Sequence, residues 1–192
     1  MLFCDDLEIY KTPDINDKHP WNILFSPTST PAELQAIIDQ PNLETRPKIL
    51  AYRKLAQLGQ KIPNKEVLGI IIELAFDGSM DTLAAFKDGT ARYINISGKF
   101  TVWDTQTTES QKIIEKLFQE GEIVRSKIGP WEEPRLAPPP QNDLRITLLV
   151  SDGLYFGQGE STVMFEDPIG AKLMDEAFAL MQFLSKTNGV SI

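Results

Sequence analysis

Residues 67–103, VLGIIIELAFDGSMDTLAAFKDGTARYINISGKFTVW, decide the fold. Four apolar segments are cut there by Asp77-Gly78, Asp88-Gly89 and Ser97-Gly98. An Asp-Gly pair between strand-like runs supplies the positive φ angles of a two-residue type I′ turn, so Asp88-Gly89 reads as a tight hairpin. Val67 to Phe76 is almost continuously apolar, as a central strand covered on both faces would be. The next three segments are shorter and partly alternating: Leu83 and Ala85, then Arg92, Ile94 and Ile96, then Phe100 and Val102. Alternation packs one face of a sheet and leaves the other at least partly polar. The expected centre is a four-stranded antiparallel meander in an α+β protein.

Working outward, Thr30-Pro31-Ala32-Glu33 carries a capping box with proline at the first helical position. A short helix with Leu34, Ile37 and Ile38 on its apolar face should end near Pro41, and a second should run over about 44–58 to Gly59. The first 29 residues read as an arm packed through Trp21, Ile23, Leu24 and Phe25. Beyond the meander, Ile113, Ile114, Leu117, Phe118 and Val124 recur at helical spacing from about Thr108 to Lys127, in a helix that should cover the packed face. Residues 129–143, GPWEEPRLAPPPQND, read as a proline-rich connector. Leu144–Ser151 and Leu154–Gly157 should form a hairpin about Asp152-Gly153, and Thr162–Phe165 a further short extended piece. Pro168 opens a last helix to about Lys186, with Ile169, Leu173, Ala177, Leu180 and Leu184 on one stripe and Met174, Phe178 and Met181 beside it. So wide an apolar sector means deep burial or a subunit interface. The whole predicts one domain over 1–192, with a helical N-terminal extension over 1–62 packed on it. Its antiparallel sheet joins the meander to two or three C-terminal strands, with helices mainly on one face.

Composition narrows the functional classes. No apolar run approaches the roughly 20 residues that span a bilayer, and the acidic start MLFCDDLEIYK lacks the basic region of a signal peptide. One cysteine, Cys4, excludes an intrachain disulfide and suits a reducing cytoplasm. The net charge is −8, and after residue 127 nine acidic side chains face four basic ones. No basic patch is present to neutralise phosphates, so nucleic acid is not an expected partner, and neither is a membrane. Acidity suits solubility or a basic protein partner.

The catalytic inventory is thin. His19 is the only histidine and precedes a proline; with Cys4 it cannot supply the usual zinc ligands or a histidine-dependent triad. No phosphate loop or dinucleotide fingerprint occurs, and neither cofactor nor metal is expected. Two places are candidate ligand sites. One is the turn from Asp152 through Gly157 and Gly159 to Ser161, where glycines could let a ligand approach the backbone. Those glycines serve a turn and a bulge equally well, and neither a helix N-terminus nor a basic residue adjoins them. The other is the meander face, where Arg92 and Lys99 could hold an anion while Tyr93 stacks; cross-strand pairs with Asp81 explain the same residues. Asp77 and Asp88 are accounted for by turn chemistry. Glu73 interrupts the most apolar strand and needs a partner if buried, for which Arg92 is the candidate.

The segments DTLAAFKDGTARYINISGKFTVW, LLVSDGLYFGQGE and HPWNILFSPTSTPAELQAIID resemble a family of soluble bacterial proteins with no assigned activity. The resemblance implies a bacterial, cytosolic, single-domain protein and carries no chemistry. The functional expectation is a non-enzymatic binding or regulatory protein acting through a protein interface, as a homodimer or by masking a basic partner. The alternative is a small-molecule-binding protein or enzyme with its site between the Asp152–Ser161 turn and the meander face near Arg92.

Overall fold

The computed structural model describes residues 3–4, 6–133, 135–187 and 190–191. Contacts divide the chain into two compact units, Met1–Glu66 with Val150–Asp152, and Val67–Leu149 with Gly153–Ile192.

The first unit is helical. After a 3-10 turn at Leu7–Tyr10 come α1 (Trp21–Phe25), α2 (Pro31–Ile38) and α3 (Thr45–Gln57). The capping box forms as the sequence requires: Thr30 Oγ1 accepts from the Glu33 N–H, and the Glu33 carboxylate accepts from the Thr30 N–H at 2.8 Å. The Thr30 N–H first, and then the Thr30 hydroxyl, which also donates to it at 2.8 Å, hold the Glu33 carboxyl below its ordinary value. Tyr10, Trp21 and Phe25 stack in series, with ring centroids 5.3 and 5.6 Å apart. The Lys54 ammonium on α3 donates to the carbonyls of Leu24 and Ser26 at the end of α1, and its burial lowers its pKa. The tip of a hairpin from the second stretch also belongs here. Ser151 Oγ donates to the Asn64 carbonyl at 2.6 Å and accepts from the Glu66 N–H at 3.1 Å, while Asp152 pairs with Lys65 at 2.9 Å.

The second unit is built on one sheet. Its strands are β1 (Val67–Phe76), β2 (Ser79–Phe86), β3 (Ala91–Ile94), β4 (Phe100–Trp103), β5 (Pro130–Trp131), β6 (Asp143–Val150), β7 (Gly153–Glu160) and β8 (Val190–Ser191). Their order across the sheet is β5-β7-β6-β1-β2-β3-β4-β8. The meander β1–β4 is present as four consecutive antiparallel neighbours. β6 runs antiparallel against the other side of β1, since Gly69 lies against Leu149 while Glu73 lies against Arg145. The helices of this unit are α4 (Thr108–Arg125), α5 (Ser161–Glu166) and α6 (Gly170–Lys186).

Register assigns every side chain of the sheet to a face. Ile70, Ile72, Leu83, Ala85, Ala91 and Tyr93 share one face with Leu144, Ile146 and Leu148, and all are buried. α4 and α6 pack on each other and against this face. A Cβ at Gly121 of α4 would stand 2.7 Å from Ile70 Cδ1, and Phe183 of α6 meets Trp103 edge-on at 5.0 Å. The other face carries Ile71, Glu73, Ala84, Phe86, Arg92, Arg145 and Thr147.

The structure corrects several expectations. None of the three glycine turns is type I′, because only Gly78, Gly89 and Gly98 take positive φ in them. Phe86 N donates to Thr90 O at 2.9 Å, so Lys87-Asp88-Gly89 is a three-residue loop ending in a left-handed glycine. Asp88 earns its place by accepting the Thr90 N–H at 2.9 Å, a side-chain turn needing no positive φ. Thr162–Phe165 is not extended but lies within α5, because β7 continues to Glu160 and uses up the strand. Asp167 then accepts the N–H groups of Ile169 and Gly170 at 2.9 and 2.7 Å, starting α6 close to Pro168. The two-residue strands β5 and β8 and the helix α1 are too short to leave a periodic signal.

Candidate functional site

Strand alternation separates the meander candidates. Arg92 and Tyr93 are consecutive on β3, so their side chains leave opposite faces. Arg92 is 7 % exposed, and its Nη1 meets Asp104 Oδ1 at 2.7 Å and the Ala91 carbonyl at 2.9 Å. Tyr93 is on the helix-covered face with its hydroxyl bonded to Asp81. Burial first, then the Asp81 charge and hydrogen bond, push its pKa up to about 12. Asp81 also accepts the Ile96 N–H at 2.5 Å, so both residues brace the β3–β4 turn. Asn95 organises the same turn, accepting from Ser97 and Lys99 N–H groups at 3.0 Å.

The glycine-bearing candidates lie across the sheet. Gly157 and Gly159 are strand residues of β7, and Ser161 opens α5 with its N–H on the Asn142 carbonyl at 2.9 Å. A helix start therefore does adjoin the glycines, as does a basic residue, Arg145, through Gln158, contrary to the sequence expectation. A Cβ at Gly157 would meet nothing within 4 Å, and one at Gly159 would only touch Met164 at 3.8 Å. Four interstrand steps separate β7 from β3, roughly 19 Å at about 4.8 Å each. Asp152 sits at the hairpin tip in the other unit, paired with Lys65. The structure does not bring Arg92, Tyr93 and the Gly157–Ser161 segment together.

Glu73 has a different partner from the one expected. Register places Arg92 beside Ala84, two strands from β1, with Asp104 on it; on the opposite side of Glu73, Arg145 of β6 approaches its Oε2 at 3.5 Å. That contact is Coulombic, since Glu73 Oε2 accepts no hydrogen bond. Arg145 is 4 % exposed and is the hub of a polar cluster. Its Nε and Nη2 donate to Gln158 Oε1 at 2.9 and 2.7 Å, and Gln158 Nε2 donates to Asp143 Oδ2 at 3.0 Å. Its remaining N–H groups reach the proline-rich segment, at the carbonyls of Leu136 (3.3 Å) and Ala137.

Beside this hub the sheet carries aromatic walls. Trp131 meets Phe156 edge-on with centroids 4.5 Å apart, and the guanidinium lies 5.9 Å from the Phe156 ring. Together with Leu154, Thr147 and Leu136 they enclose a groove with only about 10 Å³ left free, less than a water needs comfortably. The chain's own Arg135 and Leu136 form one of its walls. Arg145 was legible by the same signal as Glu73: it is the lone charge inside the apolar run Leu144–Val150.

Larger hollows lie elsewhere. One of about 440 Å³ is bounded in the first unit by Gln35, Tyr52, Gln60 and Asn64, and one of about 330 Å³ lies between α4 and α6 beside Ile113 and Phe183. Lys61 and Tyr52 are the titratable groups lining the first, and Glu109 and Lys186 those lining the second. Among the described residues no group of three or more His, Cys, Asp or Glu could hold a metal ion, and no helix is long and apolar enough to cross a membrane.

In comparisons with known proteins, no family model, no curated protein and no solved structure matches the chain.

Proposed function

We propose that this chain is a cytosolic, non-enzymatic binding or regulatory protein that acts through a protein interface and associates with a second copy of itself. One observation carries the reading: the wide apolar sector of α6 is only partly consumed by the fold. Met174 and Met181 are buried, but Phe178 stays 41 % exposed and packs 5.8 Å from Phe165 of α5, itself 38 % exposed. Two adjacent aromatic rings in water are a surface that association would cover, and aromatic pairs are typical interface anchors. The scattering of the candidate ligand residues supports the same reading, as does the acidic excess after residue 127 for a basic partner. The alternative, a ligand site between the Asp152–Ser161 turn and Arg92, draws no specific support from geometry, because Arg92 is occupied by Asp104.

Sedimentation velocity over a concentration series tests the proposal. The expected result is a reversible dimer that Phe178→Glu converts to monomer without changing the far-ultraviolet spectrum. A strict monomer at every concentration, with no partner recovered by cross-linking in cells, would sink it.

A further inference from the structure

We propose that the groove formed by Trp131, Phe156 and Arg145 is a binding site for an extended, proline-rich peptide, held shut by the chain's own 135–139 segment as an internal competitor. The occupant's chemistry is read from what sits there. Two successive main-chain carbonyls, of Leu136 and Ala137, are taken by one guanidinium, and Pro138-Pro139-Pro140 follows directly. Proline-rich segments adopt an extended conformation whose carbonyls have no internal partners, and aromatic-lined grooves recognise them because little entropy is lost on docking. The guanidinium's other contacts bear on the class of occupant. Glu73 stands 3.5 Å from Nη1 and Gln158 accepts from Nε and Nη2, so its remaining donors are matched to neutral carbonyls, while Arg135 adds a second positive charge to the lining.

The internal competitor is weakly held. Arg135, Leu136, Ala137 and Pro138 are all exposed, Leu136 at 48 %, and only Pro139 is buried. A segment with so few buried apolar contacts opens locally at small free-energy cost, whereas Arg145 stays fixed by Gln158. An internal ligand lowers the apparent affinity for an external one by the fraction of time it vacates the groove. This inference is independent of the aromatic pair on α6.

The test uses a synthetic peptide of residues 132–141, EEPRLAPPPQ, titrated against the full chain and against a variant with residues 135–138 replaced by Gly-Ser-Gly-Ser. Saturable binding is expected to the variant, at least about tenfold tighter than to the intact chain. Adding Arg145→Lys to the variant should weaken binding about tenfold while far-ultraviolet dichroism stays unchanged, because an ammonium lacks the planar fork that reaches both carbonyls while keeping its bonds to Gln158. No saturable binding by the folded variant, or equal binding after Arg145→Lys, overturns the proposal. Should the variant not fold, the intact chain decides: a millimolar excess of peptide should shift the Trp131 indole and Arg145 Nε resonances, and unmoved resonances overturn it. Self-association of the intact chain that the Gly-Ser replacement abolishes would make a second copy's segment the occupant, and would equally overturn a separate peptide partner.

Discussion

Glu73 on β1 and Arg145 on β6 face each other across neighbouring strands, Oε2 to Nη1 at 3.5 Å, with both side chains nearly removed from water. A pair of this kind adds little net stability over an apolar pair, yet removing one partner strands the other. Arg145→Ala should therefore cost about 3–5 kcal/mol, while the double change Glu73→Leu with Arg145→Met should be close to neutral. Urea unfolding of Glu73→Leu, Arg145→Met and the double variant measures the coupling. A double variant as unstable as Arg145→Ala would show that the tie to Leu136 and Ala137, and not the ion pair, carries the energy.

Tyr93 predicts a limit on alkaline stability. Its phenol titrates at about 12 in the fold, against about 10 in an unfolded chain. Above pH 10 the unfolded state gives up this proton first, so the contribution is complete below pH 10 and is lost as pH rises toward 12. Tyr93→Phe should make that decline shallower in denaturant titrations between pH 9 and 12. A slope identical to the parent's would remove Tyr93 from the account; Tyr52, also raised by burial, supplies some of what remains.

Two glycines should answer oppositely to the same substitution. An added Cβ at Gly170 would stand 2.7 Å from the Met164 carbonyl, which is backbone and cannot give way cheaply. Gly170→Ala should cost about 1–3 kcal/mol. At Gly121 the obstacle at 2.7 Å is Ile70 Cδ1, the far end of a flexible side chain, and alanine gains about 1 kcal/mol of helix propensity. Gly121→Ala should be near neutral by thermal unfolding, and a loss as large as that at Gly170 would mean the α4–β1 contact is rigid.

The cap of α2 offers a site-resolved check. Thr30→Ala should destabilise by about 1 kcal/mol and let the Glu33 carboxyl rise part of the way toward its ordinary pKa, since it leaves the larger lowering by the residue 30 N–H in place and removes only the hydroxyl's hydrogen bond. A carboxyl titration followed by NMR reads the second effect directly. A Glu33 value that does not move would place its stabilisation elsewhere.

The residues that announced the fold did so through local chemistry. Thr30 to Glu33 and the glycines at 78, 89 and 98 state a cap and three turns within a few positions each, and the meander follows from them. What stayed hidden depends on neighbours remote in the chain. Glu73 carries no hint that β6 and not β3 lies beside its charge, because strand order is set by topology. Val163 and Phe165 alternate as strand residues do, yet six residues between β7 and Asp167 close into a helical turn and a half. The groove was invisible for the same reason: Trp131, Leu136, Arg145 and Phe156 belong to four segments that only the sheet assembles.

The strand order also fixes a sequence of events in time. β1 can pair with β2 as soon as Asp77-Gly78 turns the chain, and β3 and β4 add through three-residue loops, all inexpensive closures. β1 meets β6 only after α4 and the whole proline-rich stretch have been reeled in. Folding should therefore nucleate in the meander and finish by docking the β6–β7 hairpin, so that the charge of Glu73 waits in an unfinished sheet until Arg145 arrives.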